Sequence, residues 1–441
     1  MKNARGGLIT ATLSPLCSLH ELSGGWECLP ESMPGLPAYL NRIENFAQQD
    51  LVDRNRASHR PIQSTRSEDK HMNDIEPINL QEGIRSRLVQ GVNGLTMHIL
   101  EAGYSDPSRP CVLLLHGFPE LAYSWRGVMQ GLAEQGYYVV APDQRGYGRT
   151  SNSATEYGSD LRPFYLLNLV RDALALVYAI GRKSVCAVVG HDFGSPVAAY
   201  CALIRPDVFR SVALMSAPFD GPPPISETEE VDMAAGLAAL SPPKKHYQHY
   251  YCTPDANAEM LEPDTGLPDF LRTYFHVKSA DWASNEPFVL NGWTPDELVR
   301  MPSYYIMGMD DSMPEAIRHH APTRSEIDTC RWLTKNDLEV YVEEFGRTGF
   351  QGGLNWYRCS FLSDHQNELR LFAGRTIDVP SCFIGGANDW GVYQSPGALE
   401  RMQRSACTDM RLVELVDGAG HWVQQEKTCE VVQLLVTFLK G

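Results

Sequence analysis

Hydrophobic residues in this chain fall into short, nearly unbroken runs separated by stretches with a helical period, and the alternation begins near residue 84. The segment SRLVQGVNGLTMHILEAG (86–103) reads as two strands joined at Asn93-Gly94, a dipeptide suited to the positive φ angles of a tight hairpin. CVLLLHG (111–117), YYVVAPDQRG (137–146), VCAVVGHD (185–192) and VALMSAP (212–218) are apolar runs of strand length, each ending in Gly, Pro or Asp. Helical patterns lie between them, such as Leu167–Ile180, where Leu167, Val170, Leu174 and Val177 form one apolar stripe. Strands apolar on both faces and alternating with helices predict an α/β fold, with a mostly parallel sheet covered by helices on both sides.

The alternation stops after Phe219. Residues 221–362 are rich in Pro and Tyr with helical pieces, the clearest being Lys335–Phe345, where Thr334 and Asp337 make a capping box and Leu338, Tyr341, Val342 and Phe345 share a face. Strand texture resumes at VPSCFIGG (379–386) and MRLVELVDG (410–418), and a helix over Glu426–Leu439 closes the chain. A helical block set between two parts of one sheet reads as a lid over the carboxyl ends of the strands, where open α/β sheets bind ligands. The expected organisation is an appendage over 1–83, core over 84–220, lid over 221–362 and core again over 363–441. The appendage shows no sustained period beyond a short helix near Leu40–Ala47, and no chemistry is assigned to it.

Charge narrows the partners. With 38 Lys and Arg against 54 Asp and Glu, the net charge is -16 and no basic cluster stands out, which argues against nucleic acid or anionic lipid. No stretch approaches the roughly 18 continuous apolar residues of a membrane span. The run Gly7–Cys17 is broken by Thr, Ser and Pro15, against a secretory signal. The eleven cysteines are scattered and never spaced C-x-x-C, and Cys111, Cys186 and Cys382 sit in apolar runs, so they read as reduced thiols of a cytoplasmic protein. These patterns leave the oligomeric state open, a homodimer included.

The chemistry enters at Gly190-His191-Asp192-Phe193-Gly194, between the run ending at Val189 and the helical PVAAYCALI (196–204). This is the strand, tight turn and helix of a nucleophile elbow, with Asp192 in the usual serine position; alone, such an aspartate would more often cap a helix. Asp389 and His421 follow in the hydrolase order of nucleophile, acid and base, each just past a strand run. His116-Gly117-Phe118-Pro119 lies after an early strand, where this architecture contributes one oxyanion donor; the backbone N–H groups of Phe118 and Phe193 are the candidates. A serine that attacked saturated carbon would form a dead-end ether, whereas a carboxylate forms an ester that water can cleave. Asp192 therefore points to epoxides or halides. An epoxide oxygen leaves as a basic alkoxide and needs an acid, a role for tyrosine, and the lid holds Tyr247, Tyr250, Tyr251, Tyr304, Tyr305, Tyr341 and Tyr357.

Taken together, HGFPE (116–120), RGYG (145–148), GHDFG (190–194), Asp389 and GHW (420–422) resemble the soluble epoxide hydrolases of the α/β-hydrolase superfamily, from about residue 84 to the C-terminus. KHYQHYY (245–251) and LNWYR (354–358) look like the segments that carry the family's ring-opening tyrosines. The resemblance implies Tyr247 and Tyr357 as the acid pair, with Tyr250 or Tyr251 replacing Tyr247 if the register differs. MPSYYIMGMDDSMPEAI (301–317) looks like fungal members. It further implies an apolar epoxide and water as reactants, with neither metal nor organic cofactor. Many relatives carry Trp after the nucleophile where this chain has Phe193, which removes a halide-binding indole N–H and counts against a dehalogenase. A non-catalytic lidded binding protein is the rival from another class; an esterase is disfavoured, because Asp192 would form an anhydride.

Overall fold

The computed structural model describes residues 77–225 and 232–441; the helix expected near Leu40–Ala47 lies outside the described residues. Its strands are β1 (Ile84–Val92), β2 (Leu95–Ala102), β3 (Cys111–Leu115), β4 (Tyr138–Pro142), β5 (Ala187–His191), β6 (Val212–Met215), β7 (Lys244–His246), β8 (Ile306–Gly308), β9 (Ser381–Gly386) and β10 (Met410–Val416). Eight of them form one sheet in the order β1-β2-β4-β3-β5-β6-β9-β10. The pairs β1–β2 and β2–β4 are antiparallel and the remaining pairs parallel. The β1–β2 hairpin turns at Asn93 and Gly94, with φ of 49° and 85°, as the dipeptide predicted.

Helix α1 (Arg126–Glu134) follows β3, α2 (Leu166–Ala179) follows β4, and α3 (Gly194–Ile204) follows β5. The lid lies between β6 and β9 and includes α4 (Tyr247–Tyr251), α5 (Leu267–Lys278), α6 (Lys335–Thr348) and α7 (Gln351–Ser360); α8 (Thr428–Lys440) ends the chain. Strands β3, β4 and β5 are buried along their whole length, because each pleat face meets helices. Leu113, Leu115, Val140 and Val188 share a core with Leu169, Val177 and Val197 of α2 and α3. Val112, Leu114, Val139 and Val189 point the other way, into a core with Val128 and Leu132 of α1 and Leu435 and Phe438 of α8. This two-sided burial, about 1.5–3 kcal/mol per large apolar side chain, holds the strand ends in register.

Three local expectations shift. In α2, Leu167 and Leu174 are only half-buried, while Leu166, Leu169, Ala173 and Leu176 are buried beside Val170 and Val177. The helix is apolar on adjoining rows, so periodicity alone does not phase it, and packing on α3 and β1 does. In the lid, β7 and β8 form a small antiparallel ladder with His246 opposite Ile306, too short for any period to reveal. The closing helix starts at Thr428, after a non-helical Lys427, and the Glu426 carboxylate before it accepts from the backbone N–H groups of Ala280, Gly420 and Trp422. The capping box at Thr334 and Asp337 forms as expected.

Helix α7 reaches the core through glycine. Gly146 has φ of 86°, and a Cβ on Gly352 would overlap the Gly146 carbonyl oxygen, while the Trp356 Nε1–H donates to the Arg145 carbonyl at 3.0 Å. Gly352→Ala is expected to lower stability by about 1–3 kcal/mol, the range for overpacking a rigid contact, as measured by urea unfolding. A midpoint and slope equal to those of the wild type would contradict this backbone contact.

Candidate active site

Asp192 stands at the tip of β5 with φ of 52°, a left-handed conformation that costs a side-chain-bearing residue about 1–2 kcal/mol. The turn is tight because Gly190 and Gly194 have no Cβ; one on Gly190 would strike the Gly194 carbonyl, and one on Gly194 the Leu115 carbonyl. Gly117 is needed for the same reason, since a Cβ there would overlap the Asp192 carboxyl group. Asp192 does not cap α3: its Oδ1 accepts the Phe118 N–H at 2.9 Å, and its Oδ2 faces His421 Nε2 at 3.5 Å. That second distance describes an ion pair rather than a short hydrogen bond. The Asp192 side chain keeps 17% exposure, so the carboxylate is reachable from under the lid.

His421 lies in the turn after β10, its backbone N–H donating to the Lys278 carbonyl of the lid at 2.8 Å. Its Nδ1 meets Asp389 Oδ1 at 3.0 Å and Ser216 Oγ at 2.9 Å. Asp389, after β9, also accepts the Gly391 N–H at 2.7 Å. Asp192, Asp389 and His421 are thus brought together at one edge of the sheet.

Phe118 and Phe193 flank the carboxylate. The Phe193 ring packs edge-on against Trp356 and Tyr357, and the Phe118 ring against Tyr357 at 5.5 Å between centroids. Tyr247 and Tyr357 meet edge to face with centroids 6.1 Å apart, and Gln248 Nε2 donates to the Tyr247 hydroxyl at 3.2 Å. Burial, reinforced by the Asp192 charge, pushes both phenols up, so they stay protonated. Of the alternatives to Tyr247, Tyr251 shares a 2.7 Å hydrogen bond with Tyr274. The Tyr250 phenol is pushed up by burial and then by Glu259, away from Asp192.

Several groups went unnoticed in the sequence. Glu120 of HGFPE binds His191 Nδ1 at 2.6 Å, the Gly117 N–H at 3.1 Å and Gln424 Nε2 at 2.7 Å, while His191 Nε2 meets the His421 carbonyl at 2.7 Å. Both residues lie inside motif strings already singled out. Ser216, at the end of β6 with φ of 67°, is found by the same strand-end logic as Asp192 and Asp389. Lys278, at the C-terminus of α5, is 5% exposed with its ammonium among tyrosine rings. Its sequence position alone reads as a lysine complementing a helix C-terminus. Among the described residues, no group of three or more His, Cys, Asp or Glu side chains is arranged to hold a metal ion.

Electrostatics divides the protons. Burial opposes charge on His421, but Asp389 and Asp192 outweigh it and raise the imidazole to about 9. Burial likewise opposes charge on Asp192, yet His421 above all holds that carboxyl below the ordinary range. The resting pair is therefore carboxylate and imidazolium. An imidazolium cannot act as a base until it loses its proton.

A family model described as the alpha/beta hydrolase fold matches residues 110–243. The chain is 34% identical over 360 residues to Epoxide hydrolase A of Mycobacterium tuberculosis, covering 80% of this chain and 97% of that protein. It is 32% identical over 348 residues to an epoxide hydrolase of Caballeronia sordidicola, covering 79% and 92%. Among solved structures, an epoxide hydrolase from an endophytic Streptomyces aligns with a TM-score of 0.65 at 33% identity, over 82% of this chain and 96% of that one. Potato (Solanum tuberosum) epoxide hydrolase I aligns with a TM-score of 0.63 at 30% identity, over 81% and 99%.

Asp192→Asn removes one of the two carboxylates that hold the His421 proton. The imidazole, raised to about 9 in the wild type, is expected to lose its proton at a pH lower by at least about one in the variant, followed by NMR of the ring nitrogens. Because the folded value lies above the unfolded one of about 6.5, the stabilisation from this proton is complete below about pH 6.5 and lost as pH rises through about 9. An unchanged His421 titration in the variant would contradict the pairing.

Proposed function

We propose, for a chain that belongs to the epoxide hydrolase family of the α/β-hydrolase superfamily, that Asp192 opens the epoxide as a nucleophile and that water then frees the diol. The protein converts an epoxide and water to a vicinal diol. The observation that carries the mechanism is the Asp192 carboxylate, held through Oδ1 by the Phe118 N–H with Oδ2 toward His421.

In the first step Oδ2 attacks an epoxide carbon, a C–O bond forms as the ring C–O bond breaks, and the electron pair goes to the ring oxygen. Tyr247 and Tyr357 hydrogen-bond that oxygen, and one gives it a proton. The phenols are weaker acids than free tyrosine, which suits an alkoxide acceptor more basic still. Esterification cancels the Asp192 charge and so weakens the hold on the His421 proton, which returns to the tyrosinate. Neutral His421, oriented by Asp389, then takes a proton from water as the oxygen attacks the Asp192 carbonyl carbon. Oδ1 becomes the oxyanion, held by the N–H groups of Phe118 and Phe193. The tetrahedral species expels the alkoxide, which takes its proton from the new carboxyl group, and carboxylate and imidazolium are restored.

The core segments 84–220 and 363–441 supply nucleophile, acid and base, and the lid, 221–362, supplies the phenols; neither metal nor organic cofactor takes part. Cytoplasmic placement fits the cysteines, which are free thiols among the described residues. No described helix is long and apolar enough to cross a membrane.

Asp192→Asn is expected to abolish diol formation from styrene oxide, and His421→Gln to trap the alkyl ester on Asp192, seen as a mass adduct. Tyr247→Phe or Tyr357→Phe should slow ring opening by about 10²-fold or more. A single turnover in heavy-oxygen water should leave the label on Asp192. Label found only in the diol would rule out the covalent route.

A further inference from the structure

The lid brings one cation to the reaction centre. Lys278 ends α5, and its carbonyl accepts the His421 N–H at 2.8 Å and Asn285 Nδ2 at 3.1 Å, so its backbone is tied to the catalytic loop. Its side chain is buried, with the ammonium 4.8 Å from the Tyr305 ring centroid, 5.3 Å from those of Tyr274 and Tyr304 and 5.8 Å from that of Tyr247. Ring faces attract the charge but leave the N–H donors unsatisfied. Among the described residues no hydrogen bond or ion pair is formed by the ammonium, which meets only ring faces.

The nearby carboxylates are engaged elsewhere. Asp192 is held by the Phe118 N–H and faces His421, and Asp389 is held by His421 and the Gly391 N–H. Both act on Lys278 only through their fields, which raise its proton affinity against a larger burial effect that brings the ammonium down to about 8. Tyr305, the nearest ring, also lacks a hydrogen-bond partner for its hydroxyl among the described residues, and that phenol senses both Asp192 and Asp389. A cation with open donors, beside a free phenol and next to Tyr247, is a receptor awaiting an anionic acceptor.

We propose that Lys278, with Tyr305, docks a carboxylate carried by the substrate, so that the favoured epoxides are acids rather than neutral molecules. The inference rests on the epoxide hydrolase reading and narrows its substrate class. One monovalent cation suits one carboxylate, and a full negative charge compensates the burial of the ammonium where a neutral ester or amide does not.

The test compares kcat/KM for trans-3-phenylglycidate and the isosteric trans-3-phenylglycidamide in the wild type, Lys278→Met and Lys278→Arg. The acid-to-amide ratio is expected to drop about 10- to 100-fold in Lys278→Met, as for loss of a charge-assisted hydrogen bond, and to recover substantially in Lys278→Arg. A ratio unchanged in Lys278→Met overturns the proposal. Styrene oxide, assayed alongside, reads the parent activity separately: its turnover with an unchanged ratio sinks the carboxylate site alone. Should Lys278→Met not fold, or should the wild type turn over no epoxide, calorimetric titration of Asp192→Asn protein with the two ligands decides. Tighter binding of the acid supports the site, and equal or weaker binding overturns it.

Discussion

A carboxylate held ionised against burial is the constraint on which the rest of this structure depends. Burial alone would neutralise Asp192, and a protonated carboxyl group is no nucleophile. The chain meets this with an N–H donor from the Phe118 loop, the positive His421 ring at 3.5 Å and the more distant Lys278 ammonium. Each comes from a different segment, so the ionisation of Asp192 reports on the assembly of the sheet edge as a whole.

The loops that carry these groups are held by buried polar atoms that never touch the reacting centre. Glu120 and His191 join the HGFPE loop to the elbow and the elbow to the His421 carbonyl. Glu426 gathers three backbone N–H groups, two from the His421 turn and one from Ala280 of the lid. Burial still pushes this carboxyl up to about 7, so its desolvation outweighs those donors. Such satisfied networks fix loop geometry more sharply than apolar packing, because each bond has a direction.

The lid's aromatic character follows from the same need. Tyr247, Tyr251, Tyr305 and Tyr357 pack edge to face, pairing apolar ring contacts with hydroxyl groups. A wall of leucines would pack as closely but would carry no hydroxyl groups. Burial, reinforced by the Asp192 charge, keeps the Tyr247 and Tyr357 phenols protonated.

By itself the sequence determined the alternation of strands and helices, the Asn93-Gly94 hairpin and the strand-end positions of Asp192, Asp389 and His421, because these depend on local periodicity and turn chemistry. It also carried the capping box at Thr334. Tertiary structure alone decided which of Tyr247, Tyr250 and Tyr251 turns toward Asp192, since a helix of only Tyr247–Tyr251 has no apolar stripe to set its phase. It decided which rows of α2 are buried, and it brought Ser216 to His421. Lys278 is the clearest case: in sequence it is an ordinary basic residue at a helix end, and only the packing of α5 against the His421 turn buries it. Burial, charge coupling and hydrogen-bond satisfaction are sums over neighbours distant in the chain, and no local pattern encodes them.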